Sequence, residues 1–201
     1  MVTLQAPLDT TTNINVHLMP GVIIPRQDNS EKKFKTTKDM IANGTIELIA
    51  NRDANGHAEG FIMLDHGETR TELDNGLYEE YKFILNGKSL IKQNIFTPAQ
   101  SSGLNLKTFI IGNAEDLKAT DFACVTDSQM AVTQLTPTYD DKLKTLNFTN
   151  GTDQISFFNM QNLYFGTKGK DVNLCDASTN YYKIKDGNAP DLSGNTATTT
   201  L

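Results

Sequence analysis

The side chains in this chain that could do chemistry are few and scattered. Two cysteines, three histidines and no tryptophan stand among 201 residues that include 25 threonines and 19 asparagines. Asp65-His66-Gly67-Glu68 gathers two carboxylates and an imidazole, the groups an acid-base or metal site uses. Side chains that close together on a tight turn diverge, and no second cluster of His or Cys completes a site, so the tetrapeptide reads as a turn. Asn51-Arg52-Asp53-Ala54-Asn55-Gly56 opens like an EF-hand loop. Its twelfth position is Ile62, where a bidentate Glu is required, and Asn-Gly at a hairpin turn accounts for the same residues. Glu79 and Glu80 point to opposite faces of a strand, unlike the carboxylate pair that flanks one bond in a glycosidase. Asp140-Asp141 reads as another turn. No serine sits in a G-x-S-x-G elbow, and no Gly-rich phosphate loop is present. We therefore assign no catalytic residue, cofactor or metal ligand to this chain.

Cys124 and Cys175 stand 51 positions apart. A bridge between them would stabilise by roughly 4 kcal/mol of chain entropy, and two buried thiols that never meet explain the pair equally well. Zinc would need three or four suitable ligands, and neither Cys has a CxxC partner or a neighbouring His. Asn43-Gly44-Thr45, Asn147-Phe148-Thr149 and Asn150-Gly151-Thr152 fit the N-glycosylation pattern, a weak signal in a chain so rich in Asn and Thr. Exposed aromatic rings could stack on sugars. Tyr181-Tyr182 is the only adjacent tyrosine pair, and core or interface packing is the commoner use of the others.

The elements that must position these residues are strands. Polar and apolar residues alternate with period 2, whereas long runs of 3.6 periodicity are missing. Asn13–Leu18, Val22–Pro25, Thr45–Ala50, Ala58–Asp65, Tyr78–Leu85, Ser89–Phe96, Lys107–Ile111, Ala123–Thr126, Met130–Leu135, Thr145–Phe148 and Ile155–Phe158 read as strands. Asn55-Gly56 and Asn86-Gly87 are hairpin signals, the first predicting that 58–65 pairs with 45–50. Short helices are expected only at 37–42 and 114–118. Beyond Lys170 the chain turns polar, and 187–201 has the composition of a disordered tail. A net charge of -6 and a pI of about 5.0 give no overall basic field for nucleic acid. The apolar stretches fall far short of the roughly 20 residues that cross a bilayer. No charged segment followed by an apolar run opens the chain, so no signal peptide is read there.

Read in order, Ala6-Pro7-Leu8-Asp9, then 13–27 (NINVHLMPGVIIPRQ), then 60–73 (GFIMLDHGETRTEL) resemble the C-terminal region of the family 31 glycoside hydrolases, the α-glucosidase and maltase family. Tyr78 to Phe83 matches the family's Tyr-x-x-x-x-Phe strand, and Thr108–Gly112, Tyr139-Asp140-Asp141 and Leu143–Phe148 are similar to its closing strands. The resemblance covers most of residues 4–165. Two departures stand out. Met19-Pro20-Gly21 lies where the family has Arg-Gly-Gly, and His66 replaces the second Asp of the hairpin turn.

The resemblance implies an all-β chain: residues 1–36 as trailing strands of the family's proximal C-terminal β-domain, 37–170 as its distal antiparallel β-sandwich, and 171–201 as a polar, partly disordered extension. It further implies an exposed apolar edge around Val16, Val22 and Ile24. The family's retaining aspartates lie in a (β/α)8 barrel, which needs about 200 to 250 residues of its own, so no catalytic role transfers to this chain. A non-catalytic part that supports the barrel of an α-glucosidase-like enzyme is the function implied, with that barrel as partner. A free-standing sandwich that binds glycan or protein is the alternative. Family members act in lysosomes, the endoplasmic reticulum or outside the cell, which gives the Cys124–Cys175 pair and the sequons at Asn43, Asn147 and Asn150 more weight.

Overall fold

The computed structural model describes residues 17–28, 34–65, 71, 74–96, 103–129, 131–149, 155–171 and 175. Eleven strands carry the fold: β1 (Val22–Asp28), β2 (Thr45–Asn51), β3 (His57–Asp65), β4 (Tyr78–Asn86), β5 (Ser89–Phe96), β6 (Asn105–Gly112), β7 (Phe122–Asp127), β8 (Val132–Asp140), β9 (Thr145–Thr149), β10 (Ile155–Ser156) and β11 (Met160–Gly166). An α-helix, α1 (Thr37–Asn43), is capped by the Thr36 hydroxyl, which accepts from the Asp39 N–H at 3.1 Å. A 3-10 turn covers Glu115–Leu117. These two fall where the sequence placed them, but Thr71 and Asp74 are helical as well, where the sequence reading expected no helix. β11 escaped sequence reading because Leu163, Tyr164, Phe165 and Gly166 are all buried, which erases the period-2 signal.

The all-β class is confirmed, but the plain antiparallel sandwich is not. The sheet runs β10-β6-β2-β1-β3-β4-β5-β11-β7-β8-β9, and β6 also pairs with β9. Ten strands therefore close into a barrel, with β10 added on the free stretch of β6. Two contacts are parallel, β2 with β6 and β1 with β3. Closure satisfies the strand edges that an open sheet would leave to solvent. Alternation alone could not reveal this, since period 2 says which face a residue takes and nothing about its partner strand.

The expected hairpin between β2 and β3 is also corrected. β1 inserts between them, antiparallel to β2 along its whole length from Val22↔Asn51 to Asp28↔Thr45, and parallel to β3 at Val22↔Glu59. β1, which lies within residues 1–36, thus pairs with strands of this barrel. Of the apolar edge expected around Val22 and Ile24, Val22 is paired on both sides, with Asn51 of β2 and Glu59 of β3, whereas Ile24 is laddered to Ile49 of β2 alone and its side chain is exposed. Val16 lies outside the described residues, as do 13–16 of the strand expected there, while His17 and Leu18 are not in a strand. The Asn86-Gly87 hairpin forms as predicted, with Asn86 opposite Ser89 and Gly87 at φ +56°.

Inward residues of successive strands fill the barrel. Leu48, Ala50, Phe83, Leu85, Leu90, Phe109, Ile111, Leu146 and Leu163 are fully buried, and Phe148 packs on Phe109 and Phe165. A satellite cluster of Phe122, Cys124, Tyr164 and Cys175 lies apart from this main core.

Candidate functional site

Four places in the described residues could carry function, and each is built by strands meeting far from one another in sequence. The first is an apolar outer face. Phe61 and Met63 project from β3, opposite Lys82 and Glu80 of β4, and Phe96 of β5 faces Glu80 in turn. Phe61, Met63, Leu77, Ile95 and Phe96 are all exposed, Phe61 at 59% and Met63 at 55%. Tyr78 stacks on Phe96 with ring centroids 4.5 Å apart. Among the described residues, five of the eight large exposed hydrophobics therefore lie on or beside β3, β4 and β5. Contiguous apolar surface of this sort marks an interaction site more often than scattered residues do.

The second is a polar cavity at one end of the barrel, about 570 Å³, between the β2–β3 turn, the β4–β5 turn and the segment after β6. Arg52 holds its walls together. Only 6% exposed, its guanidinium donates through Nη2 to the Asn113 carbonyl at 2.5 Å and is ion-paired with Asp116. Its Nε is buried without an acceptor among the described residues. Burial opposes ionisation of Asp116, but the hydrogen bond and charge of Arg52 outweigh it and hold the carboxyl below the usual range. Lys88, also lining the cavity, binds both oxygens of Asp171 at 2.7 and 2.6 Å. Sequence reading missed Arg52 because it sits in a stretch that looks like an ordinary exposed turn; its partner is 64 residues away.

The third is a charged group inside the barrel. Lys92 is 4% exposed and its Nζ lies 3.9 Å from the Tyr81 ring centroid, donating to the Phe158 carbonyl at 2.9 Å and to Asn94 Oδ1 at 3.0 Å. The Tyr81 hydroxyl donates to Glu79 Oε2 at 2.8 Å. Burial pulls the Lys92 ammonium down to about 8, against the attraction of Glu79. Burial and then the bond to Glu79 push the Tyr81 phenol up. These contacts tie β4, β5 and the segment before β11 together.

The fourth is the cysteine pair, which the structure joins: Cys124 and Cys175 are disulfide-bonded with Cα atoms 5.6 Å apart. The Cys175 carbonyl also accepts from Gln134 Nε2 at 3.0 Å, so the bridge fastens the chain beyond β11 to β7 and β8. Of the sequons, Asn43 is the exposed last residue of α1 and Asn147 is half-buried in β9 between β6 and β8. Asn150, His66 to Glu68 and the Tyr181-Tyr182 pair lie outside the described residues. In the Asn51–Gly56 stretch, the Asp53 carboxylate accepts from the N–H groups of Asn55 and His57 at 2.9 Å each, the turn role rather than the opening of a calcium loop.

The described residues thus form a closed, predominantly antiparallel barrel that carries these four features. The chain is a relative, over part of its length, of the family 31 glycoside hydrolases. It is 32% identical to lysosomal alpha-glucosidase of Bos taurus over 110 residues, 55% of this chain and 11% of that protein. Intestinal sucrase-isomaltase of Rattus norvegicus matches at 28% over 138 residues, 68% of this chain and 7% of that protein. Among solved structures, glucosidase II alpha subunit shares the fold with a TM-score of 0.59 at 15% identity, over 73% of this chain and 17% of that one. No family model matches the chain. The chain thus aligns with only about a tenth of the length of the curated relatives.

Proposed function

We propose that this chain is the non-catalytic C-terminal part of an α-glucosidase-like glycoside hydrolase, and that it supports the catalytic barrel of the parent enzyme, carried on the same or a separate polypeptide. The observation that carries the reading is the partial match. The similarity is confined to a small fraction of enzymes about ten times longer than the matched segment. The apolar face around Phe61, Met63 and Phe96 supplies a surface for such docking, since burying it would contribute about 25 cal/mol per Å². Hydrolysis of O-glycosyl bonds then belongs to the parent enzyme, and residence in the secretory pathway, lysosomal or extracellular, follows from the relatives that are lysosomal or in the endoplasmic reticulum.

The test is a binding measurement between this chain and the barrel-bearing part of the parent enzyme. We expect association that Phe61→Asp with Met63→Asp weakens at least tenfold while the circular dichroism spectrum stays unchanged. Undiminished association of that double variant would remove this face from the account, and no association of the wild-type chain would remove the supporting role.

A further inference from the structure

The cavity beside Arg52 is not needed for docking through β3, β4 and β5, and its chemistry points elsewhere. Its volume, about 570 Å³, falls in the ~300–1,000 Å³ range of small-molecule sites. Four charged side chains line it, Arg52 and Lys88 against Asp53 and Asp116, so the lining carries no formal net charge.

Both cations are already matched by carboxylates, Arg52 by Asp116 and Lys88 by Asp171. An anion entering here would have to displace one of those pairs. A cation would find the Asp53 carboxylate engaged by two backbone N–H groups and Asp116 bound to the guanidinium. What remains is a neutral mixture of donors and acceptors: the side-chain amide of Asn55, the largely exposed carboxylate of Asp116, and the third hydrogen of the Lys88 ammonium. Pro20 and Leu117 add apolar surface to the same walls.

A hydroxyl group donates and accepts at once, so a ring that carries several hydroxyls complements such alternating partners where a simple ion does not. The apolar wall suits the C–H face of the same ring. We propose that this cavity is a binding site for a neutral carbohydrate, one pyranose ring seated between the Asn55 turn and Asp116. Arg52 is its positioning residue. It draws the segment after β6 toward the β2–β3 turn through the Asn113 carbonyl and the Asp116 carboxylate.

Two structural details keep the mouth open. Gly56 and Gly87 both take positive φ, +77° and +56°. A Cβ on Gly56 would stand 3.7 Å from Arg52 Nη1 and 3.9 Å from the Gly87 Cα, so a larger side chain there would extend into the space between the two turns.

The proposal holds whether or not the chain docks on a catalytic barrel, and its test uses the full 201-residue chain alone. In an NMR titration of the ¹⁵N-labelled protein, glucose, maltose and maltotriose are added to tens of millimolar, with sodium sulfate titrated separately as the anionic control. We expect the sugars to shift backbone amides at 53–56, 87–88 and 113–117, together with the Asn55 side-chain amide. We expect Asn55→Ala to raise the dissociation constant at least fivefold while the rest of the spectrum is preserved. Shifts with sulfate but not with sugar, shifts with sugar confined to other parts of the barrel, or no shift at all would each overturn the proposal. So would an Asn55→Ala protein that binds as the wild type does.

Discussion

The carbonyl oxygen of Ile23 occupies the place where a side chain at position 60 would begin: an ideal Cβ built on Gly60 lies 2.2 Å from it. That close approach lets β1 lie against β3 and close the barrel. It also explains why a glycine interrupts the inward row of an otherwise well-filled strand, Ala58-x-Gly60.

Gly60→Ala should therefore cost about 2–3 kcal/mol, toward the upper end of the overpacking range, because the obstacle is backbone rather than a flexible side-chain tip. Urea unfolding followed by circular dichroism measures it. A loss below about 0.5 kcal/mol would show that β1 does not press on β3 in solution.

The Lys92 ammonium gives a pH-dependent prediction. Its pKa falls from 10.5 to about 8 on folding, so between these values the unfolded chain holds more protons than the folded one and stability rises with pH. Between pH 7.5 and 9.5 the wild type should gain stability, by about 1–2 kcal/mol at the full linkage slope of about 1.4 kcal/mol per unit. Lys92→Met should abolish the gain. Above pH 10 the raised pKa of Tyr81 acts in the opposite direction, because the unfolded phenol ionises first. Unfolding curves at four or five pH values resolve both trends.

Reduction of the Cys124–Cys175 bridge should cost up to about 4 kcal/mol, as expected for a loop of this length. Equilibrium unfolding of Cys124→Ala with Cys175→Ala gives the comparison, and peptide mapping of native material under non-reducing conditions shows whether the bridge forms. Free thiols in that map would contradict the pairing.

In the same peptide map we expect a glycan on Asn43, which is exposed at the end of α1, and none on Asn147, which is half-buried with a strand on either side. Deamidation during enzymatic glycan release in ¹⁸O-water marks the occupied sites. An unmodified Asn43 in native material would count against passage through the secretory pathway.

Strand positions were legible in the sequence wherever one face is buried and the other wet, as in Tyr78–Asn86, whose alternating burial runs through all nine residues. Partnership was legible at the Asn86-Gly87 hairpin and not between strands distant in sequence. Nothing local to Val22–Asp28 says that it separates β2 from β3, and nothing in Asn105–Gly112 announces a parallel neighbour. The same limit hid the sites. Lys92 shares a strand face with Leu90, a charge at an inward position that alternation could have flagged, but its ring partner Tyr81 comes from β4. Arg52 needed Asn113 and Asp116, which only the closure of the barrel brings to it.

The most direct measurement of the central claim is isolation of this chain from its native source under non-denaturing conditions, with mass-spectrometric sequencing of everything covalently or stoichiometrically attached. The account predicts a family 31 (β/α)8 catalytic barrel, on the same polypeptide or in equal amount on another. A lone 22.2 kDa protein that itself turns over α-glucosides would contradict it.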